Sequence, residues 1–241
     1  MSEPGRRLPI GLTIATAVAL AILAALGVWQ LQRLAWKENL LARVAALQAA
    51  PAQALEPVLA RRAAGQDVDF TRVVVECPGL AAAPWLELYG LREGEAGARL
   101  ISACRLAAGP YRAVLVDRGF VADSISARPL VDKASRAPLR LTGVLRSPDK
   151  PTFVTPRNEI AANRWYSRDV PAMARALGVA APAPVFLFAE TATNPEWKAL
   201  VPAPVPADIP NRHLEYALTW FGLAGALLAV YAAMLWRRWK S

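Results

Sequence analysis

The chain has 241 residues, 55% of them hydrophobic, with a formal charge of +9, one histidine and two cysteines. A single histidine excludes a multi-histidine zinc or copper site, and two cysteines without CxxC spacing exclude a thiolate metal cluster or a redox motif of that type. The charge does not point to nucleic acid: Glu3, Arg6, Arg7, Arg237, Arg238 and Lys240 at the ends carry +4 of it, and the rest is spread over the chain without a dense basic run.

Residues 1–7 are short and basic, and residues 8–32 contain no charge. A run of that length predicts a helix long enough to cross a bilayer. It exceeds a signal-peptide core, and Trp29-Gln30-Leu31-Gln32-Arg33 is a poor cleavage neighbourhood, so a retained span is expected. A second uncharged run covers 216–236, within a span placed at 213–236, and 237–241 is again basic. Lysine and arginine in short flanks stay in the cytoplasm, which puts both termini there and the intervening domain outside. The alanine- and arginine-rich composition, with no serine-rich transit segment, favours a bacterial inner membrane with a periplasmic loop domain.

Between the spans, 33–69 reads as a helical extension into the periplasm. Leu40, Leu41, Val44 and Leu47 recur at helical spacing, and Pro51 separates a second short helix. From 70 to 201 the texture is β-rich. Strands are expected at 73–75, 85–91, 100–106, 113–116 with 120–121, 139–145 and 185–189, separated by Gly, Pro and Asp clusters. Tandem short strands without long helices between them predict an antiparallel sheet or small barrel. One short helix is expected at 169–177, capped by Asp169, with Pro171 in its first turn and Gly178 after its end. Residues 202–212, with Pro202, Pro204, Pro206 and Pro210, read as an extended connector. The fold class is thus two transmembrane helices flanking an antiparallel β-rich domain with short helices.

Chemistry-bearing patterns are few. There is no GxSxG nucleophile elbow and no phosphate-binding glycine loop, so no enzyme activity is expected. Asp117 and Asp123 read as turn carboxylates at a strand end. Cys77 and Cys104 are either a disulfide or two unpaired core thiols; the spacing leaves both open. His213 opens the second span. It is either an ordinary polar residue beside the interfacial belt of Tyr216, Trp220 and Phe221, or an axial ligand to a haem iron, for which one imidazole suffices. Tyr216, Ala217 and Trp220 follow on the same helical side, with Ala217 small enough to leave room for a flat macrocycle. At the first junction Trp29, Arg33, Trp36 and Lys37 form one stripe. It is either a snorkelling interfacial belt or a cationic rim for carboxylates such as haem propionates. Gly11, Ala15 and Ala19, and Gly225, Ala229 and Ala233, give two small-residue faces through which the spans could pair.

At these junctions the sequence resembles the surfeit locus protein one family. The resemblance rests on Gly27-x-Trp29-Gln30-x-x-Arg33-x-x-Trp36-Lys37, on Val114-Leu115-Val116-Asp117-Arg118-Gly119-Phe120-Val121, and on Asn211-Arg212-His213-Leu214-Glu215-Tyr216-Ala217-Leu218-Thr219-Trp220-Phe221-Gly222. Between the last two lie Phe153-Val154-x-Pro156-x-Asn158, Asn163-Arg164-Trp165-Tyr166-x-Arg168-Asp169 and Met173-Ala174. The matches run in order along nearly the whole chain; the stretch 70–83 departs most. The resemblance implies an assembly factor for haem-copper cytochrome c oxidase that binds haem a transiently and assists its insertion into subunit I. It implies His213 as the ligand of haem iron, with Trp29 and Arg33 as the family's tryptophan and arginine, and it leaves Lys37, Tyr216 and Trp220 as the surrounding candidates. Membrane lipid, oxidase subunit I and possible contact with haem a synthase are the implied partners. The alternative is a cofactor-free scaffold that holds oxidase subunits or the synthase together.

Overall fold

The computed structural model describes residues 9–202 and 211–240. The basic N-terminus with Arg6 and Arg7, and Pro204, Pro206 and Pro210 of the connector, lie outside these residues. The chain divides into two units, 1–43 with 208–241, and 44–207.

The first unit is a pair of helices. Helix α1 covers Ile10–Ala49 and α4 covers His213–Lys240. Both are long and apolar enough to cross a membrane by length and composition. They run antiparallel. Thr13 Oγ1 bonds the Tyr231 hydroxyl at 2.6 Å, and Gln30 Oε1 lies 2.7 Å from His213 Nδ1. At Gly27 the Phe221 side chain lies directly against the α1 backbone, and an added Cβ would stand 2.6 Å from its ring. The seam on α1 passes through Thr13, Thr16, Leu23, Gly27 and Gln30, and on α4 through Ala217, Trp220, Ala224 and Tyr231. That alternating three-and-four spacing is the seam of an antiparallel helix pair. The small-residue faces expected from sequence do not supply it. Gly11, Ala15, Gly225, Ala229 and Ala233 are exposed, and nothing approaches Gly11 or Gly225 within 4 Å. Threonine, glutamine and tyrosine hydroxyl or amide groups take the facing positions instead, because there each finds a polar partner.

The second unit is one eight-stranded sheet with two short helices. In chain order come β1 (Gln53–Ala54), α2 (Leu55–Ala63), β2 (Arg72–Glu76), β3 (Leu86–Arg92), β4 (Glu95–Arg105), β5 (Ala113–Ala122), β6 (Arg140–Arg146), β7 (Arg164–Trp165), α3 (Val170–Ala176) and β8 (Pro182–Ala189). The strand order is β1-β2-β6-β8-β5-β4-β3-β7. The expected all-antiparallel sheet is corrected here: it is mixed. The central pair β5–β8 is parallel, as are the edge pairs β1–β2 and β3–β7; β2–β6, β6–β8, β5–β4 and β4–β3 are antiparallel. The hairpin signals visible in sequence report local antiparallel neighbours. The β5–β8 pairing joins segments some 70 residues apart and carries no turn signature.

Strand alternation buries both faces of the sheet's centre. Val114, Val116, Val185 and Leu187 join Leu55, Val58 and Leu59 of α2 on one side. Leu115, Phe186 and Phe188 join Trp165 and Val170, Ala172 and Met173 of α3 on the other. Helix α3 starts as its sequence dictates: the Asp169 carboxylate accepts from the Ala172 amide at 3.0 Å, and Pro171 needs no donor in the first turn.

Cys77 and Cys104 form a disulfide, with Cα atoms 5.3 Å apart. The bond ties the end of β2 to β4 in the α2-side core, where both residues are buried. Closing a loop of this length constrains the unfolded chain by about 3–4 kcal/mol in the chain-entropy model.

Candidate functional site

The quoted motifs divide by what they do. Those of the sheet domain build structure. Asp117 is not a turn residue. It lies inside β5, fully buried, and its carboxylate takes Arg99 Nε at 2.6 Å and Arg168 Nη2 at 2.9 Å. Both guanidinium groups lie near the Phe188 ring, Arg168 at 4.8 Å and Arg99 at 5.4 Å. Arg118, the next residue, faces the opposite side. It is wholly buried, and its guanidinium donates to the Thr193 hydroxyl, the Ser102 hydroxyl and the Ala81 carbonyl. None of these is charged, and burial pushes the Arg118 guanidinium down to about 10, well below the usual arginine range. Gly119 has φ +129°, and a Cβ there would collide with the Val201 carbonyl, which accepts from the Phe120 amide at 2.8 Å. Glycine is required for that close approach.

The middle motifs act alike. Asn158 Oδ1 accepts from the Tyr166 and Ser167 amides at 2.8 and 3.0 Å, and its Nδ2 donates to the Ser167 carbonyl. Asn163 donates to the Trp85 carbonyl and accepts from Trp165 Nε1. Trp165 fills the α3-side core.

The junction of α1 and α4 is different, because it holds the chain's one imidazole against a side chain of the other helix. His213 is half-buried at the start of α4, and Gln30 Oε1 stands 2.7 Å from its Nδ1. An amide oxygen accepts, so Nδ1 is the donor in this contact, and Nε2 makes no hydrogen bond among the described residues. An imidazole oriented by a carbonyl-type acceptor on one nitrogen is the usual arrangement of a metal-binding histidine. One turn and two turns on, Ala217 is buried and Trp220 is half-buried. Trp220 Nε1 and the Asn211 side-chain oxygen are both buried without a hydrogen-bond partner among the described residues. Arg62 Nε, Arg146 Nε and Arg168 Nε of the sheet domain are buried without a hydrogen-bond partner as well, so such atoms do not by themselves mark a site.

The other sequence-derived candidates are distributed around this point. Tyr216 is exposed and faces away from the seam. Trp29 is exposed, and Arg33 lies over the Trp36 ring at 4.0 Å, so these three form a patch beside the seam. Lys37 is half-buried on the seam side of α1. The room expected at Ala217 is absent: its side chain is closed against the neighbouring helix surface, and Gly27 is closed by Phe221. The donor set therefore fits an axial ligand, whereas the packed seam at this level does not hold a macrocycle between the helices. Gln30 is the residue that sequence reasoning passed over. Its signal was available: a polar residue inside an uncharged run, seven positions or fewer from each of its seam neighbours and next to Trp29. Among the described residues no group of three or more His, Cys, Asp or Glu side chains is placed to hold a metal ion.

A family model described as the SURF1 family matches residues 17–225. The chain is 28% identical over 230 residues to Surfeit locus protein 1 of Gallus gallus, an alignment that covers 88% of this chain and 70% of the chicken protein. It is 27% identical over 219 residues to a SURF1-like protein of Rickettsia bellii, covering 89% of this chain and 86% of the rickettsial one. To Surfeit locus protein 1 of Homo sapiens it is 27% identical over 223 residues, covering 83% and 70%.

Proposed function

The chain belongs to the SURF1 family, and from that premise we propose that it is an assembly factor for haem-copper cytochrome c oxidase, anchored in the membrane by α1 and α4, whose His213 ligates the iron of haem a in transit to subunit I. The protein is not an enzyme in this reading. The haem is cargo, and what the chain supplies is one imidazole nitrogen, a lipid-depth surface and a polar rim. The observation that carries the haem reading is the Gln30–His213 contact at 2.7 Å, which fixes the ring and leaves Nε2 available. The Trp220 indole N–H two turns on, without a partner among the described residues, can offer a hydrogen bond but not a ligand to iron, and Arg33 with Lys37 supplies positive charge for carboxylates at the rim.

Topology follows the basic flanks. Arg237, Arg238 and Lys240 end α4, and such a basic flank supports a cytoplasmic end with the sheet domain in the periplasm of a bacterial inner membrane. A disulfide in the sheet domain suits an oxidising compartment.

A second reading has its own support. The closed packing at Ala217 and at Gly27 favours a cofactor-free scaffold that holds oxidase subunits or haem a synthase by protein contacts alone. The two readings separate on the full chain purified in detergent from cells that synthesise haem a. A haem-carrying protein shows a haem spectrum that His213→Ala abolishes and Arg33→Ala lowers in part, since a rim contact of this kind contributes about 1.5–3 kcal/mol. A preparation without haem, with His213→Ala indistinguishable from the parent in oxidase assembly, would establish the scaffold instead.

A further inference from the structure

Two of the motif residues in the sheet domain have no structural task. Phe153 and Val154 sit at the tip of a loop, with relative exposures of 101% and 70%. Single exposed apolar residues are ordinary on a protein surface, but this pair is displayed on a built support. The Thr155 amide donates to the Thr152 carbonyl at 3.1 Å, and the Thr152 amide donates to Thr155 Oγ1 at 2.9 Å, which closes the turn around them. Pro151 and Pro156 restrict the backbone on either side. Asn158 clamps the descending arm to Tyr166 and Ser167. A turn tip ordinarily carries Gly, Asn, Asp or Ser, so an aromatic and a β-branched residue there cost solvation without any return within the fold.

We propose that this tip is a bilayer contact: Phe153 and Val154 enter the boundary between headgroups and acyl chains, and Lys150 and Arg157 meet anionic headgroups beside them. The charge supports lipid over a protein groove. Lys150 and Arg157 flank the tip, and the adjoining carboxylates are turned to other arginines, Asp149 at 3.8 Å from Arg146 and from Arg168 and Glu159 at 3.7 Å from Arg164, which leaves an apolar wedge with basic flanks, the pairing that binds anionic membrane surfaces. The inference rests on the membrane reading given above, because a domain tethered by a span at each end always has a bilayer within reach.

The test uses the full chain in vesicles of phosphatidylcholine and phosphatidylglycerol. The native cysteines are paired, so a Val154→Cys variant takes an environment-sensitive fluorophore at one site, and Ala108→Cys in an exposed turn is the reference. The label at 154 is expected to emit to the blue, to be quenched by lipids carrying a spin label high on the acyl chain, and to be shielded several-fold from aqueous iodide. The label at 108 is expected to behave oppositely. Lys150→Glu with Arg157→Glu should weaken the lipid quenching. Equal iodide quenching at both sites with no quenching by spin-labelled lipid would overturn the proposal. Shielding that arises only when oxidase subunit I is reconstituted with the chain would overturn it in favour of a protein partner. Alkaline carbonate washing of the same vesicles separates the two failures: a chain that stays with the lipid while residue 154 is wet loses only the loop contact, and a chain that washes off loses the membrane reading as well.

Discussion

Asp117 and Arg118 are consecutive on β5, and strand alternation turns them to opposite faces, so they cannot neutralise each other. Asp117 is held by two guanidinium groups. Asp117→Ala would leave Arg99 and Arg168 facing each other beside the core, and a loss of about 3–5 kcal/mol is expected, readable as a lower denaturation midpoint of the full chain in detergent. Arg118 has only neutral acceptors, and its lowered value of about 10 corresponds to about 3 kcal/mol of desolvation at neutral pH. The sign follows from the shift. Above about 10 the unfolded chain holds a proton that the folded chain does not, so this group's penalty fades as pH rises from there toward the usual arginine range. Arg118→Met removes the penalty together with three hydrogen bonds, and a net change within about 1 kcal/mol is expected in the same assay. Neighbouring substitutions should thus differ by several kcal/mol. Removing the disulfide by Cys77→Ser with Cys104→Ser should cost about 3–4 kcal/mol of stability while oxidase assembly stays near normal at permissive temperature. Of this, sequence leaves the disulfide open as one of two alternatives and misses the buried charges. Asp117 reads with Asp123 as a turn carboxylate at a strand end, and only the sheet order brings Arg99 and Arg168 to its carboxylate.

Elements were more legible than their partners. The valine run at 73–75 and the capped helix after Asp169 follow from local chemistry, whereas β4 begins at Glu95, ahead of the strand expected at 100–106, and β5 is continuous through Asp117 and Arg118 because both charges find partners on neighbouring elements. The helix pair shows the limit. Long uncharged runs identify α1 and α4, yet the stripe by which they meet is chosen by polar partners, Thr13 with Tyr231 and Gln30 with His213, and not by the densest run of small residues. Gly27 is the exception, since a side chain there would displace the Phe221 ring. Gly27→Leu is therefore expected to part the helices. A disulfide between cysteines placed at Thr13 and Tyr231 should form readily in the parent and far less in the Gly27→Leu background; equal crosslinking in both would show that the pairing does not depend on this contact.

At the scale of the molecule, two apolar helices bracket a mixed sheet whose central parallel pair joins distant segments. Topology of this kind has no local signature, which is why an antiparallel sheet is the natural inference from hairpin spacing alone. The orientation does have one, in the arginines and lysines at the ends. A reporter active only outside the cytoplasm, fused within the sheet domain at the exposed turn near Ala108, should be active, and the same reporter after Ser241 should be silent. The role itself is tested in living cells. Difference spectra of membranes, with oxidase activity measured alongside, should show a several-fold loss of oxidase haem a when the chain is deleted, full recovery with the parent chain, and no recovery with His213→Ala. Unchanged oxidase haem and activity in the deletion strain would contradict a role in oxidase assembly.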